Sequence, residues 1–542
     1  MRSRARPMTR TLWTAAAVVI LALSGCSGAG PAKTEAPEAS GGDKTPGSVW
    51  ISPTDRIEAL ASKAASVVPT ERQLRWQALE FQAFVHFGMN TFTDREWGEG
   101  TEDPKLFNPT DLDADQWVEA VRAAGIRGLI VTAKHHDGFC LWPSRFTEHS
   151  VKHSPWRDGK GDVVGEVAAA CRKAGLAFGV YLSPWDRHEP SYGDSPRYNE
   201  HFKNQLRELL TRYGEISEVW FDGACGEGPN GKRQVYDWAG YFALIRELQP
   251  GAVISIMGPD ARWIGNEAGV TRESEWSVIP VVGFDDLPDE TNPGGIAHLD
   301  AQAKDLGSFG RIAEVARLGG RLLWYPGQVD VSIRPGWFYH AAEDDKVKTI
   351  DQLLDIYYTS VGGNAQLLLN IPPDKRGRIP ENDARRLKEL GDRLRATFAE
   401  NLAGDAKTSV EYSGPKIVGV FDKRERAVDG YIMPPLGAFV WGLGGARSFN
   451  VAMLTEDISQ GQHVEAFAFD VWAGAGPVTD RNLLGQTGWR EIAKGTTIGW
   501  KKLLRFPTVT AEWVRVRILR ARGEVPPFIR SGSFGLYWDP GR

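Results

Sequence analysis

Glu218-Val219-Trp220-Phe221-Asp222-Gly223 is a short apolar run that ends abruptly in a carboxylate, and a glycine then releases the backbone into a Gly-rich segment reaching Gly231. The pattern reads as a buried strand delivering one acid at its C-terminal end, where parallel α/β enzymes keep their chemistry. Asp-Gly is also a common turn pair, so Phe221-Asp222-Gly223 read alone fits an aspartate that caps the next loop equally well. The flanking sequence has to decide between the two.

On both sides of this stretch, apolar strand-like runs alternate with amphipathic segments. Phe81–Gly88, Gly128–Ala133, Ala177–Leu182, Val219–Asp222, Val253–Met257, Glu275–Ile279, Arg321–Tyr325 and Gln366–Asn370 are the strand candidates. Helical spacing of apolar residues marks Ala114–Ala124, Val163–Ala174, Tyr198–Tyr213, Trp238–Leu248 and a last helix around Asn382–Glu400. Eight strands separated mostly by helices predict a (β/α)8 barrel. A doubly wound open sheet fits less well, because the first strand lacks a Gly-x-Gly-x-x-Gly turn and polar residues follow nearly every strand.

Beyond the last helix the texture changes. Glu465–Trp472 and Trp513–Ile518 are rich in aromatic and β-branched residues, with Gly- and Pro-containing turns between such runs. This predicts a C-terminal antiparallel β-sandwich, with the barrel spanning residues 49–404 and the sandwich 405–542.

At the other end, Arg2, Arg4, Arg6 and Arg10 precede an apolar run from Leu12 to Leu23, too short to span a bilayer. Residues 1–25 therefore read as a secretory signal. Leu23-Ser24-Gly25-Cys26 resembles the lipobox of bacterial lipoproteins, in which the signal is cut before the cysteine and the thiol carries lipid. The alternative is an ordinary signal peptide with a chance cysteine. Residues 26–48 are rich in Ala, Pro, Gly and Ser and have almost nothing to bury, the composition of a disordered tether. The expected location is exported and lipid-anchored to a bacterial membrane.

The formal net charge is −5, from 64 Lys+Arg and 69 Asp+Glu, so no charge excess points to nucleic acid. Apart from Cys26 the chain holds only Cys140, Cys171 and Cys225, without a Cys-x-x-Cys. That leaves room for at most one disulfide among the three and excludes a zinc-ribbon site. Twenty tryptophans suit sugar rings as well as core packing.

The residues just after the strands are carboxylates, imidazoles and indoles. His86 and Glu96-Trp97 follow the first strand, Lys134-His135-His136-Asp137 the second, Tyr181 and Ser183-Pro-Trp-Asp186 the third, and Trp220 and Asp222 the fourth. Arg262-Trp263-Ile264-Gly265-Asn266-Glu267 comes after the fifth, and Arg334-Pro-Gly-Trp337-Phe-Tyr-His340 precedes the last. Two carboxylates among donors and aromatics suit glycoside hydrolysis, in which one attacks the anomeric carbon or activates water and the other protonates the leaving oxygen. Asp222 and Glu267 are the candidates, and a loop-borne acid beside Trp263 has the partial burial that raises a carboxyl pKa. Glu273 and Glu275 are rival acids. A metal site built on His86, His135, His136 and Asp137 is less consistent, because adjacent His135 and His136 point to opposite faces in a regular strand and no His-x-His spacing is present.

Together these motifs resemble the α-L-fucosidases of glycoside hydrolase family 29. The resemblance runs from Phe84-Val-His-Phe-Gly-Met-Asn-Thr-Phe-Thr93 through Lys134–Phe139, Tyr181–Arg187 and Val219–Gly223 to Arg334–Tyr339. It implies a retaining double displacement with Asp222 as nucleophile, and a fucose pocket made of His86, Glu96, Trp97, His135, His136, Tyr181 and Trp220, with Trp337 from the last motif beside them. The subgroup acting on α-1,3/1,4 linkages carries its acid/base in an Arg-Trp-x-Gly-Asn-Glu segment, which Arg262–Glu267 resembles. That implies Glu267 as acid/base and branched, Lewis-type fucosylated oligosaccharides or glycoconjugates as substrates, with no metal and no cofactor. A non-catalytic glycan-binding lipoprotein and a metal-dependent hydrolase on the same barrel are the alternative functions.

Overall fold

Eight parallel strands form one sheet that curls into a barrel: β1 (Phe81–Val85), β2 (Gly128–Lys134), β3 (Ala177–Leu182), β4 (Glu218–Phe221), β5 (Val253–Ile256), β6 (Arg262–Trp263), β7 (Gly327–Ser332) and β8 (Ala365–Asn370). The computed structural model describes residues 44–282, 302–404, 418–421, 426–428, 431–433, 437–476, 478–479, 482, 486–522 and 534–541. The expected signal, the lipobox with Cys26 and most of the expected tether lie outside them. The strand order is β5-β4-β3-β2-β1-β8-β7-β6, and a parallel bridge between Ser255 and Ala261 joins the two ends.

The strands alternate between two environments, which follows from the two-residue period of a pleated strand. Val85, Val131, Val180, Val219, Val329 and Leu367 belong to the large core shared with the surrounding helices, Ala114–Ala123, Val163–Ala174, Ser195–Arg212, Trp238–Leu248, Ile350–Ser360 and Glu381–Thr397. Several of these helices start at a side chain that accepts an otherwise orphaned amide. Asp113 takes Gln116 N–H, Asp162 takes Gly165 N–H, and Asp237 takes Gly240 N–H. Phe84, Ile130, Tyr181, Trp220 and Leu368 form a separate cluster inside the barrel, with Ile256 and Trp337 against it.

Below that cluster the interior is polar and closed by hydrogen bonds. Glu218 is fully buried and accepts from Trp76 Nε1 (2.7 Å), Gln82 Nε2 (2.6 Å) and Gln328 Nε2 (2.8 Å). Gln328 Nε2 also donates to Gln366 Oε1, and Gln328 Oε1 accepts from Trp220 Nε1 at 3.1 Å. Burial pushes the Glu218 carboxyl above its ordinary pKa, while its donors act against the shift. The network gives Trp220 a floor to stand on.

Two expected barrel strands are elsewhere. The apolar runs at 275–279 and 321–325 supply Val278–Val281 and Gly320–Trp324, which pair antiparallel with each other and with Ser48–Ile51 in a separate three-stranded sheet. Their side chains pack on the helix Phe309–Ala316 and on Ile51 and Leu60. The barrel positions are filled by β6 and β7, which no apolar run announces.

The C-terminal part is antiparallel. Two long strands, Gly437–Leu454 and Lys502–Ala521, pair along their length with register shifts that bend them, and Val418–Phe421, Val464–Trp472, Trp489–Gly495 and Phe534–Tyr537 complete the sheet. Phe449, Phe467, Phe469, Phe506 and Phe534 fill the core between its faces. This unit meets the barrel at Glu80, whose Oε1 accepts from Trp500 Nε1 at 2.8 Å and pairs with Lys501 Nζ at 2.6 Å.

Candidate active site

A cavity of about 510 Å³ opens at the C-terminal ends of the strands. His86, Glu96, Trp97, His135, His136, Trp220, Asp222, Glu267 and Trp337 all line it. Tyr181 is buried just behind the wall, and its hydroxyl donates to Asp222 Oδ2 at 3.1 Å. The other carboxylate oxygen, Oδ1, accepts Ala224 N–H at 2.7 Å. A side chain with both oxygens engaged, and still about a quarter exposed to the cavity, is oriented without being closed off.

Strand β2 stops at Lys134, and the chain then turns through Gly138, whose φ of +79° suits glycine and whose N–H donates to His135 O. Strand alternation therefore does not apply to the histidine pair, and both rings face the same cavity with centroids 4.1 Å apart, a correction to the opposite-face expectation. Hydrogen positions follow from the partners. Ser183 Oγ donates to Trp185 O, so it accepts from His136 Nδ1–H at 2.8 Å and leaves His136 Nε2 with a lone pair. That Nε2 sits 3.8 Å from Asp222 Oδ2, too far for a hydrogen bond. His135 Nδ1 lies 3.3 Å from Asn90 Nδ2, which can only donate, so His135 Nε2 carries the proton. Burial lowers the pKa of both imidazoles, and of His86 to about 4, so all three are neutral at neutral pH.

The histidine loop is held from below by an ion pair. Lys134 Nζ donates to Asp186 Oδ2 at 2.7 Å and to Gln205 Oε1 at 3.0 Å, entirely out of solvent. Burial alone would raise the Asp186 carboxyl, but the Lys134 charge and hydrogen bond, with His201 and the Glu189 N–H, together outweigh it and bring it down to about 2. Asp186 Oδ1 in turn accepts the backbone N–H groups of His188 and Glu189. One buried pair thus ties the histidine loop, which lines the cavity, to the loop that follows β3.

Glu96 organises the opposite rim. Its Oε2 accepts Trp337 N–H at 2.8 Å, and its Oε1 accepts Phe338 N–H at 3.2 Å and faces His340 Nε2 at 2.7 Å. His340 also meets Asp94 through Nδ1. Burial lowers the His340 pKa, but the bonds to Asp94 and Glu96 outweigh it and the net direction is upward.

Glu267 lines the same cavity as Asp222. Partial burial is the main cause that lifts its pKa above the ordinary glutamate value; the charges of Asp222 and Glu96 add to this, and a hydrogen bond with Trp337 opposes it. The rival acids are occupied elsewhere. Glu275 is buried in ion pairs with Arg262 and Arg272, and Glu273 is not part of the cavity lining. The structure therefore brings one partly exposed, oriented carboxylate and one carboxyl of raised pKa to a single cavity.

Sequence reasoning missed Asp330. It lies on β7, lines the cavity, and accepts Trp263 Nε1–H on Oδ1 at 2.8 Å. Burial, reinforced by the Glu267 charge, pushes its pKa up to about 8. The signal was available in Gly327-Gln-Val-Asp-Val-Ser332, where strict alternation puts Gln328, Asp330 and Ser332 on one face. Met257, Arg262 and Tyr325 are further lining residues that were not singled out as cavity walls.

Cys140 and Cys171 are buried free thiols and Cys225 is an exposed one, so none of the three is in a disulfide. Among the described residues, no group of three His, Cys, Asp or Glu is arranged to hold a metal ion, and no helix is long and apolar enough to cross a membrane.

Comparison with known proteins places this geometry. A family model described as alpha-L-fucosidase matches residues 62–274 and 314–397, more than half of the chain. Alpha-L-fucosidase 1 of Arabidopsis thaliana is 41 % identical over 480 residues, covering 87 % of this chain and 88 % of that protein. A solved structure from Bacteroides ovatus is 47 % identical, with a TM-score of 0.79 over 92 % of this chain and 79 % of that one. A family 29 fucosidase of Ruminococcus gnavus, solved in complex with fucose, is 30 % identical, with a TM-score of 0.70 over 91 % of this chain and 99 % of that one. The barrel, its two-carboxyl cavity and these matches agree, and the chain belongs to the alpha-L-fucosidases of glycoside hydrolase family 29.

Proposed function

We propose that this glycoside hydrolase releases terminal α-1,3- or α-1,4-linked L-fucose from branched, Lewis-type glycans by a retaining double displacement. The observation that carries the reading is the pairing in one cavity of Asp222, open and oriented by Tyr181 and Ala224, with Glu267, whose pKa is raised. Asp222 attacks the anomeric carbon, and Glu267 gives its proton to the leaving oxygen. Glu267, now ionised, then takes a proton from the water that cleaves the fucosyl-Asp222 ester. The neutral imidazoles of His86, His135 and His136 and the carboxylate of Glu96 bind sugar hydroxyls, and Trp97, Trp220 and Trp337 pack on the ring and its methyl group. The fucose-bound Ruminococcus gnavus relative supports the choice of sugar.

Linkage preference rests on the Arg262–Glu267 segment. It is tested by comparing hydrolysis of a Lewis-type trisaccharide with that of a 1,2-linked fucoside. The expected result is a kcat/KM at least about 10-fold higher on the trisaccharide, a difference of about 1.4 kcal/mol in transition-state binding. Equal rates, or preference for the 1,2 linkage, would remove the subgroup reading and leave the fucosidase reading intact.

The enzyme is further proposed to be an exported lipoprotein tethered through Cys26, on the strength of the Arg-rich start, the run from Leu12 to Leu23 and the Leu-Ser-Gly-Cys sequence. Metabolic labelling with a radioactive fatty acid should mark the wild type and spare Cys26→Ala. Persistent label in that variant would rule the anchor out.

A further inference from the structure

Asn370, the last residue of β8, is fully buried and makes hydrogen bonds at both ends of its amide. Its Oδ1 lies 3.2 Å from His86 N and 2.8 Å from His86 Nδ1. Its Nδ2 donates to Ser332 Oγ at 2.9 Å and to Trp337 O at 2.8 Å. A backbone N–H can only donate and a backbone carbonyl can only accept, so the two backbone partners forbid a flipped amide. The oxygen must face His86, and an oxygen only accepts, so His86 Nδ1 carries its proton.

We infer that Asn370 is a positioning residue for sugar recognition: it holds His86 as the Nδ1–H tautomer, turns a bare Nε2 lone pair to the cavity, and locks that imidazole to the loop carrying Trp337. The inference rests on the proposed reading of the cavity as the sugar pocket. A neutral imidazole in this tautomer can only accept at Nε2, so it selects a donor, which a sugar hydroxyl is. Phe84, Trp337 and Phe338 surround the ring at centroid distances of 4.5, 5.2 and 5.4 Å and keep it from turning. The titratable groups facing it are Asp222, His135, His136 and Tyr181, and its buried site disfavours the imidazolium.

Trp337 is pinned at both of its backbone groups. Its carbonyl receives Asn370 Nδ2–H and its N–H goes to Glu96 Oε2. Asn370 and Glu96 therefore work on one loop from two sides, and a change at Asn370 moves the imidazole and the indole together.

The decisive variant is Asn370→Asp, which keeps the shape and the acceptor toward His86. A carboxylate beside Nδ1–H favours the imidazolium, so Nε2 becomes protonated and loses its lone pair. The expected result with an aryl fucoside is an acidic limb of kcat/KM displaced upward by about one pH unit or more. The expected KM at pH 6 is higher by about 10-fold, the loss of one good hydrogen bond, with a smaller change in kcat. The variant also loses the donor to Trp337 O, so a purely structural role would lower stability and raise KM through the freed indole but leave the acidic limb where it is; an unmoved acidic limb would overturn the inference.

A second measurement does not depend on the variant folding. In wild-type enzyme with ¹⁵N-labelled histidine, the His86 resonances, assigned by their loss in His86→Gln, should show a protonated Nδ1 and a bare Nε2. The opposite tautomer would overturn the inference even if the enzyme is active. Conversely, a wild type unable to cleave any fucoside would remove the functional reading while the tautomer result still stands.

Discussion

Asp222→Asn is expected to lower kcat by about 10⁴-fold or more on every fucoside, because no covalent intermediate forms without the carboxylate and the rest of the pocket supplies only binding and orientation. The substitution keeps the side-chain shape. Its oxygen continues to accept Ala224 N–H, which lies 2.7 Å from Oδ1 in the wild type, and its Nδ2–H replaces the carboxylate oxygen beside Tyr181, whose hydroxyl turns to accept from it. The group is partly exposed and removes nothing from the core, so folding should survive. A cost of about 1 kcal/mol corresponds to a shift of only about 1 °C in a chain of this size. Unchanged melting with turnover abolished places the effect in the chemistry. Near-normal activity would show that Asp222 is only the loop cap that its Asp-Gly sequence also permits.

Glu267→Ala carries the second largest effect, and it depends on the leaving group. A sugar alkoxide needs the proton, so turnover of an oligosaccharide should fall by about 10²- to 10⁴-fold. An aryl fucoside, whose phenolate leaves unaided, should retain formation of the intermediate, and azide should then relieve the second step because it needs no base. No azide effect would place the acid elsewhere.

The pH dependence has a definite sign. Burial first, then the charges of Asp222 and Glu96, hold the Glu267 pKa above the ordinary glutamate value. The protonated form is the competent acid, so wild-type activity persists below that raised value and is lost as pH rises through it. The variant has no such group, and its residual aryl-fucosidase activity should lack this basic limb.

The opening stretch shows what the sequence could and could not carry. A strand ending in Asp222 was legible because its outward neighbours are apolar and a glycine follows. Strands β1 to β5 and β8 were legible for the same reason. Strand β7 was not, because its inward face is polar: Gln328 belongs to the buried Glu218 network, Asp330 to the cavity and Ser332 to the Asn370 cluster. Strand β6 has only two residues and no run to detect. The apolar segments at 275–279 and 321–325 drew the assignment instead, although the strands they supply are buried against Ile51 and the helix Phe309–Ala316. Local hydrophobicity reports burial and says nothing about which sheet does the burying.

The site shows the same limit. Catalytic candidates stood out where an acid or imidazole followed an apolar run. His135 and His136 were judged by strand periodicity although the strand had already ended at Lys134. Alternation marks Asp330 as sharing a strand face with Gln328 and Ser332, but what Asp330 and Asn370 do in the site depends on partners 67 and 284 positions away in the chain, Trp263 and His86. No short motif encodes such a contact. It exists only once the barrel has closed.

The most direct test of the account is to trap the intermediate. A 2-deoxy-2-fluoro fucosyl donor with a good leaving group forms the glycosyl-enzyme readily but hydrolyses slowly, because the fluorine destabilises the oxocarbenium-like transition state of the second step. After proteolysis, mass spectrometry should find one fluorofucosyl group, on the peptide and at the residue of Asp222, and the unlabelled enzyme should release fucose with retained configuration. A label on Glu267 or any other carboxylate, or release of the inverted anomer without a label, would contradict it.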